Sequence, residues 1–297
     1  MESSMHDLII IGLGPAGFSS SIYASRAGLN VLVIEKGSPG GMLNTIKEVE
    51  NYLGYEKIMG PDLSMEFYKQ FKTLNIPLIH EEVIDIKDGV KHKTVYTTEG
   101  KYDAKAVIIA TGRGQKKLRV GHNVKGVSYC ALCDANLYKN KTVALVGNNP
   151  KAVEETIYMS DIVSKIYLIV DTNEINASED NIKLLDKKNI EVIYNEEVID
   201  VLEENDKITG VTLNNQDLEV DGLFVNLGFG PSTFFSENLQ ITNEQGYIVI
   251  NDKCETKVKG VYACGDNVKK EVYQIINAGS EGAIASINAN KYIKGIK

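Results

Sequence analysis

Two cysteines separated by two residues and followed at once by an acid, Cys130-Ala131-Leu132-Cys133-Asp134, carry the most specific chemistry in this 297-residue chain. Thiols at this spacing close readily into a disulfide. Where such a pair opens a helix, the helix N-terminus favours the thiolate of a first-turn cysteine, and the partner thiol can resolve a mixed disulfide. Residues 131–137 are compatible with a helical turn. Asp134 stands where it can supply or accept the proton that disulfide cleavage requires. A zinc or iron–sulfur site is the alternative for such a spacing. Zinc takes four ligands, and Cys254, Cys264 and the four histidines offer no second paired spacing, so no metal is expected. Cys264, in the apolar run 261–264, reads as a buried structural thiol, and Cys254 has no partner in sequence.

The dithiol lies between two glycine-containing strand–turn–helix signatures. In the first, an apolar strand at 8–11 leads into Gly12-Leu13-Gly14-Pro15-Ala16-Gly17 and a helix at 16–27. Gly12 permits the tight turn, Gly14 lets the backbone approach a pyrophosphate, and Gly17 lets helix and strand pack closely. The helix N-terminus then offers unpaired N–H groups to phosphate. A second strand at 31–34 ends at Glu35, 23 residues after Gly12, where a carboxylate can bind ribose hydroxyls. This is a complete dinucleotide site.

Further on, the pattern predicts a helix at 62–74, short alternating segments between 83 and 98, and a strand at 106–110 reaching Thr111-Gly112-Arg113-Gly114. It restarts with a strand at 143–146, a glycine turn, a helix at 152–160 and a strand at 166–170. Strand–helix–strand alternation implies parallel sheets with right-handed crossovers. A second crossing at Gly228-Phe229-Gly230-Pro231 suggests an inserted domain joined to its host by a two-stranded hinge. The expectation is an α/β fold of two Rossmann-like domains, each with three layers including a parallel sheet, the second inserted in the first. Residues 1–113 and 226–297 form the first and residues 114–225 the second.

Around these features, Gly40-Gly41-Met42-Leu43, Val49-Glu50-Asn51-Tyr52, Ala110-Thr111-Gly112 and Gly260-Val261-Tyr262-Ala263-Cys264-Gly265-Asp266 follow one another in the order seen in the low-molecular-weight thioredoxin reductases. Together with Cys130-x-x-Cys133-Asp134, they make the chain resemble that family over nearly its whole length. The resemblance implies FAD at the first site, held by Gly12, Gly14, Pro15, Ala16, Gly17 and Glu35, with Gly41, Met42 and Leu43 and with Ala110, Thr111 and Gly112. Asn51 would contact the flavin region, Gly265 and Asp266 the ribityl–phosphate end, and Gln274 with Ile275 the isoalloxazine ring. Met42 departs from the family's usual glutamine. The resemblance also places Cys133 nearer the flavin, gives Cys130 the attack on thioredoxin, makes Asp134 the acid/base, and implies a homodimer.

The second signature is damaged. Its turn reads Gly147-Asn148-Asn149-Pro150-Lys151-Ala152, and Asn149 fills the position whose missing side chain would admit pyrophosphate. Asparagine tolerates positive φ, so the turn itself can survive. The histidine–arginine cluster by which the family grips the NADPH 2′-phosphate is replaced by Asp171-Thr172-Asn173, and no arginine lies beyond Arg119. An NADH-using alternative stays open, because Asp171 follows Gly147 by 24 residues, close to the spacing of a ribose-binding acid.

Within the family, the chain resembles the ferredoxin-dependent flavin thioredoxin reductases, which implies reduced ferredoxin as the electron donor. Ferredoxins are usually acidic and this chain has net charge -8, so a local basic face is expected. Lys116, Lys117, Arg119, Lys269 and Lys270 are its candidates. A flavin oxidase or reductase with a vestigial dithiol, or a redox-regulatory binding module without turnover, are the readings from other classes. The acidic balance argues against a nucleic-acid partner. Apolar runs are strand-length, well short of the roughly 18 residues of a membrane span. The N-terminus lacks a basic-then-apolar signal pattern, so a cytoplasmic location is expected.

Overall fold

The computed structural model describes residues 5–118, 120–121 and 124–295. The chain divides into two compact units, Met1–Gly114 with Gly230–Lys297, and Gln115–Phe229.

The first unit begins with β1 (His6–Ile11), α1 (Pro15–Arg26), β2 (Val31–Ile34), α2 (Gly60–Lys72) and β3 (Leu78–Ile79). It continues with β4 (Val83–Asp88), β5 (Lys93–Thr97) and β6 (Lys101–Ile109). Its sheet runs β3-β2-β1-β6-β5-β4, with one further strand from the C-terminal segment on β6. β6 is long enough to serve two partners. Residues 101–104 pair antiparallel with β5, while Val107, Ile108 and Ile109 pair in parallel with the C-terminal strand residues Val261, Tyr262 and Ala263.

β1 reads as an unbroken apolar run because both of its faces are covered. Leu8 and Ile10 pack with Phe18 and Ala24 of α1, and Ile9 and Ile11 pack on the opposite side with Val83, Ile86 and Val95 of β4 and β5. The helices thus cover one face of the parallel part of the sheet, and its own antiparallel end, β4 and β5, packs on the other.

The chain leaves this unit through β7 (Arg113–Gln115). The second unit comprises β8 (Val127–Ser128), α3 (Ala131–Asp134), β9 (Thr142–Val146), α4 (Pro150–Ser160), β10 (Lys165–Ile169), α5 (Glu179–Lys183) and β11 (Ile190–Ile193). A three-stranded antiparallel meander follows, β12 (Val198–Glu204), β13 (Lys207–Leu213) and β14 (Asp217–Glu219), and then β15 (Gly222–Val225). Its parallel sheet is ordered β11-β10-β9-β15-β8. The chain returns through β16 (Phe229–Pro231), which pairs with β7. It closes with β17 (Val261–Ala263) and α6 (Ile275–Gly295). Residues 226–229 go with the second unit, beyond the boundary read from sequence, because β15 carries the chain to Val225 and Asn226 continues its hydrogen bonding to β9.

α6 anchors α1. A methyl group at Gly282 would stand 2.3 Å from the Ala16 carbonyl oxygen, so only glycine allows this approach. The Ser286 hydroxyl donates to the Ser20 carbonyl at 2.7 Å and Ser19 to the Gly279 carbonyl at 2.6 Å. Among the described residues no helix is long and apolar enough to cross a membrane.

Candidate functional site

The three glycines of the first turn do different work. A methyl group at Gly12 would meet the Ala110 carbonyl oxygen at 2.6 Å, and one at Gly17 would meet the Gly12 carbonyl oxygen at 2.0 Å. These two are required by the fold itself. At Gly14 a methyl group would find only the Gly40 carbonyl oxygen, at 3.9 Å. That space is open on the protein side, at the N-cap of a helix that has no side-chain capping bond. An uncapped helix start offering several N–H groups is an anion-binding geometry.

Other expected residues converge on the same helix start. A methyl group at Gly41 would lie 3.5 Å from the Gly14 Cα, and one at Gly265 would lie 2.9 Å from the Ala16 Cβ. Ala110 donates its N–H to the Ile11 carbonyl at 2.7 Å. The Thr111 hydroxyl donates to the Ser232 carbonyl at 2.6 Å. Glu35 accepts from the Leu13 N–H at 2.7 Å and the Gly37 N–H at 2.8 Å, so its carboxylate also braces the turn.

Further along, Asn51 donates to the Gln274 side chain at 2.9 Å. Leu43 is buried in a small cluster against which Ile275 packs, while Met42 is exposed. Burial pushes the Asp266 carboxyl above its ordinary range, with Lys270 and Arg113 pulling it back down. An open, glycine-lined helix start ringed by these segments fits a dinucleotide such as FAD.

Lys270 corrects one expectation. Its ammonium is tied up in a mostly buried ion pair with Glu281, which also accepts the Gly265 N–H at 2.7 Å, so this lysine braces the loop and is not presented for docking. Lys116, Lys117 and Lys269 are exposed, and Arg119 lies outside the described residues.

In the second unit, Cys130 and Cys133 form a disulfide with Cα atoms 5.3 Å apart. Cys130 is the N-cap of α3, and its sulfur accepts the Cys133 N–H at 3.3 Å. When the bridge opens, that N–H favours a thiolate on Cys130. Ser128, which sequence reasoning did not single out, organises the acid. Its hydroxyl donates to Asp134 Oδ2 at 2.7 Å and accepts the Cys130 N–H at 3.1 Å. Nothing in the sequence marks this serine, because the link depends on how β8 runs into α3.

Cys254 and Cys264 are the two free thiols, and both are buried in the first unit. Burial pushes the Cys254 thiol up to about 12 and drives Cys264 upward as well. Native protein reduced at the bridge is therefore expected to titrate two thiols with an aromatic disulfide reagent near neutral pH, and unfolded protein four. Four fast thiols in the native protein would refute this burial.

The second turn retains its shape by a route other than the one expected. Asn149 has φ -149, extended backbone, so no left-handed residue is needed there. Gly147 holds the turn, since a methyl group on it would meet the Asn226 carbonyl oxygen at 2.1 Å. Asn149 is structurally the counterpart of Gly14, each preceding the proline that starts its helix. Its Oδ1 accepts the Ala152 N–H at 3.1 Å and its Nδ2 donates to the Asn226 carbonyl at 2.7 Å. Asn148 pins the neighbouring loop, donating to Thr172 Oγ1 at 2.7 Å and accepting the Asn176 N–H at 2.8 Å. Thus α4 is capped by its own chain where α1 is open.

The backbone register also relocates Asp171. Gly12 N–H bonds to the Ile34 carbonyl and Gly147 N–H to the Ile169 carbonyl. The residue matching Glu35 is therefore Val170, fully buried, and Asp171 falls one position later, exposed.

A dinucleotide cradle in one unit and a dithiol with its acid in the other define a flavin-type disulfide oxidoreductase. Residues 6–282 match the family described as pyridine nucleotide-disulphide oxidoreductase. The chain is 36% identical over 307 residues to a thioredoxin reductase of Bacillus subtilis (strain 168), covering 100% of this chain and 97% of that protein. The solved thioredoxin reductase of Lactococcus lactis superposes with a TM-score of 0.60 at 31% identity, covering 98% of this chain and 100% of that one. A ferredoxin-flavin thioredoxin reductase from Clostridium acetobutylicum does so with a TM-score of 0.63 at 29% identity, covering 99% of each chain. The chain belongs to the pyridine nucleotide-disulphide oxidoreductase family and, within it, to the low-molecular-weight thioredoxin reductases, which are FAD-binding flavoproteins.

Proposed function

We propose that this protein reduces the disulfide of thioredoxin and takes its electrons from reduced ferredoxin in place of a pyridine nucleotide. The observation that carries the donor assignment is a second turn unfit for a nucleotide, with the Asn149 carboxamide where a pyrophosphate would lie and buried Val170 where the first unit has Glu35. The likeness to the Clostridium acetobutylicum protein, named for ferredoxin, supports it. An NADH reading would need an acid where Val170 stands.

FAD is assigned to the first unit, on the Gly12–Gly17 turn with Glu35, Gly41, Leu43, Asn51, Ala110, Thr111, Gly112, Gly265, Asp266, Gln274 and Ile275. Bound there, it would collect electrons that arrive singly and pass them on in pairs. Cys130 and Cys133 take such a pair and open to a thiolate and a thiol, Asp134 providing the proton. The Cys130 thiolate then attacks a sulfur of the thioredoxin disulfide, one thioredoxin sulfur leaves, and a mixed disulfide forms. Cys133 gives up its proton and attacks Cys130 in that bond, which closes the bridge again; that proton and one from solvent go to the two departing sulfurs, so thioredoxin leaves with both thiols. Ser128 keeps Asp134 pointed at this exchange.

Gly14→Val separates ligand from fold. A Cβ there would meet only the Gly40 carbonyl oxygen, at 3.9 Å, so the variant is expected to fold with wild-type circular dichroism but to purify colourless, while wild type is yellow with stoichiometric FAD. A yellow Gly14→Val protein would move the cofactor elsewhere. Asp134→Asn is expected to slow ferredoxin-driven thioredoxin reduction about 100-fold with FAD content unchanged, the usual scale for losing a general acid. Undiminished turnover in that assay would remove the acid/base role. Failure of wild type to reduce thioredoxin with reduced ferredoxin would reject the proposal as a whole.

A further inference from the structure

Only Arg26, Arg113 and Arg119 among the 32 basic residues are arginines, so an arginine here stands where lysine is the rule. Arg113 follows Ala110-Thr111-Gly112 directly and is half-buried. Its guanidinium carbon lies 5.5 Å from the centroid of the Tyr273 ring, and Tyr273 packs against Tyr247 with centroids 6.1 Å apart. A guanidinium over an aromatic face is drawn to it by a cation–π attraction, in which arginine is found more often than lysine. The Tyr273 hydroxyl accepts the Lys270 backbone N–H at 3.4 Å, and the next residue, Gln274, is bonded to Asn51. Arg113 and Tyr273 therefore bridge the two stretches of chain assigned above to the cofactor, residues 110–112 and 265–275.

Lys270 is neutralised by its partly buried pair with Glu281. The field of Arg113 reaches Asp266, where with Lys270 it offsets the upward push of burial on that carboxyl.

We propose that Arg113, held over the Tyr273 ring, is a positioning residue that sets the reduction potential of the flavin. The proposal rests on the FAD site assigned above. Taking up two electrons and one proton adds one negative charge to a flavin, the electrons coming from the one-electron donor already proposed. A cation fixed in a partly desolvated position favours that added charge, and more so than in bulk water. Tyr273 holds the guanidinium in one place, so that the charge acts at a constant distance.

The test is anaerobic spectroelectrochemistry of the FAD-loaded protein. Arg113→Met keeps an apolar stem but removes the charge. It is expected to raise the ratio of oxidised to reduced flavin at a fixed potential about tenfold, a midpoint lower by about 30 mV for a two-electron couple. Arg113→Lys keeps the charge and is expected to recover most of the shift. An unshifted midpoint in Arg113→Met, or an equal shift in the lysine variant, would overturn the proposal. Arg113→Gln provides a second neutral side chain. If both neutral variants lost FAD while the lysine variant kept it at the wild-type potential, Arg113 would be a binding residue and the proposal would fail. A colourless wild type would count against the FAD site and would be visible before any variant was made.

Discussion

Mixed anaerobically with NADPH or NADH, the oxidised protein is expected to keep its flavin absorbance, whereas photoreduced ferredoxin bleaches it and releases thioredoxin thiols. Displacing the Asn149 cap would by itself cost about 1 kcal/mol, less than tenfold in affinity. The cap alone would therefore weaken a nucleotide without excluding it. The larger effect comes from what a nucleotide would lack. Its diphosphate would meet a side chain in place of the open space found at Gly14, and its adenosine ribose would face Val170 where the first unit has Glu35. A 2′-phosphate would have an exposed Asp171 nearby, and no arginine lies beyond Arg119 to grip it. Opening the turn with Asn149→Gly is accordingly expected to restore no reduction by either nucleotide.

The energetics suit the other donor. A thioredoxin disulfide lies near -270 mV and a plant-type ferredoxin near about -400 mV, so two-electron transfer is downhill by about 6 kcal/mol. Fast bleaching by NADPH would end this reading, and bleaching by NADH alone would show that the ribose acid need not stand at the Glu35 position.

Replacing either redox cysteine is expected to abolish thioredoxin reduction, and the two variants should differ in what they trap. Cys133→Ser leaves Cys130 without its resolving partner. It should accumulate as a stable mixed disulfide with a thioredoxin that lacks its own resolving cysteine. Cys130→Ser should trap little. Exposure alone argues the reverse, since Cys133 is exposed and Cys130 only half so. Ionisation decides between them, because a thiolate and not a thiol is the attacking species, and the N–H at 3.3 Å points at the Cys130 sulfur. Mass spectrometry of the adduct would identify the bonded residue, and thioredoxin found on Cys133 would reverse the assignment.

Much of this protein could be read from residue type and spacing, because the features concerned are local. Apolar strands followed by glycine turns and amphipathic helices announced β1–α1–β2 and β9–α4–β10, and the structure places these elements within a few residues of the expected ends. Cys130, Cys133 and Asp134 are contiguous, so their proximity needed no fold. The antiparallel meander β12–β14 and the long helix α6 carry no such local signature. The meander's strands are half-exposed, and α6 is rich in alanine, glycine and asparagine, so neither shows a sharp hydrophobic period.

Tertiary structure decided what spacing could not. Counting from Gly147 suggested Asp171 as a ribose acid, but strand register, fixed by hydrogen bonds between neighbouring strands, gave that position to Val170. The sequence alone marked Asn149 as an obstacle by its bulk. Its role as a cap became visible only with Ala152 and Asn226 beside it. Ser128 on Asp134, Glu281 on Lys270 and Tyr273 under Arg113 likewise join residues that chain order leaves unrelated or only loosely spaced. Composition and local pattern determine which elements form and which groups can react. The packing of those elements determines which N–H is left open to a phosphate and which is already satisfied by the chain itself.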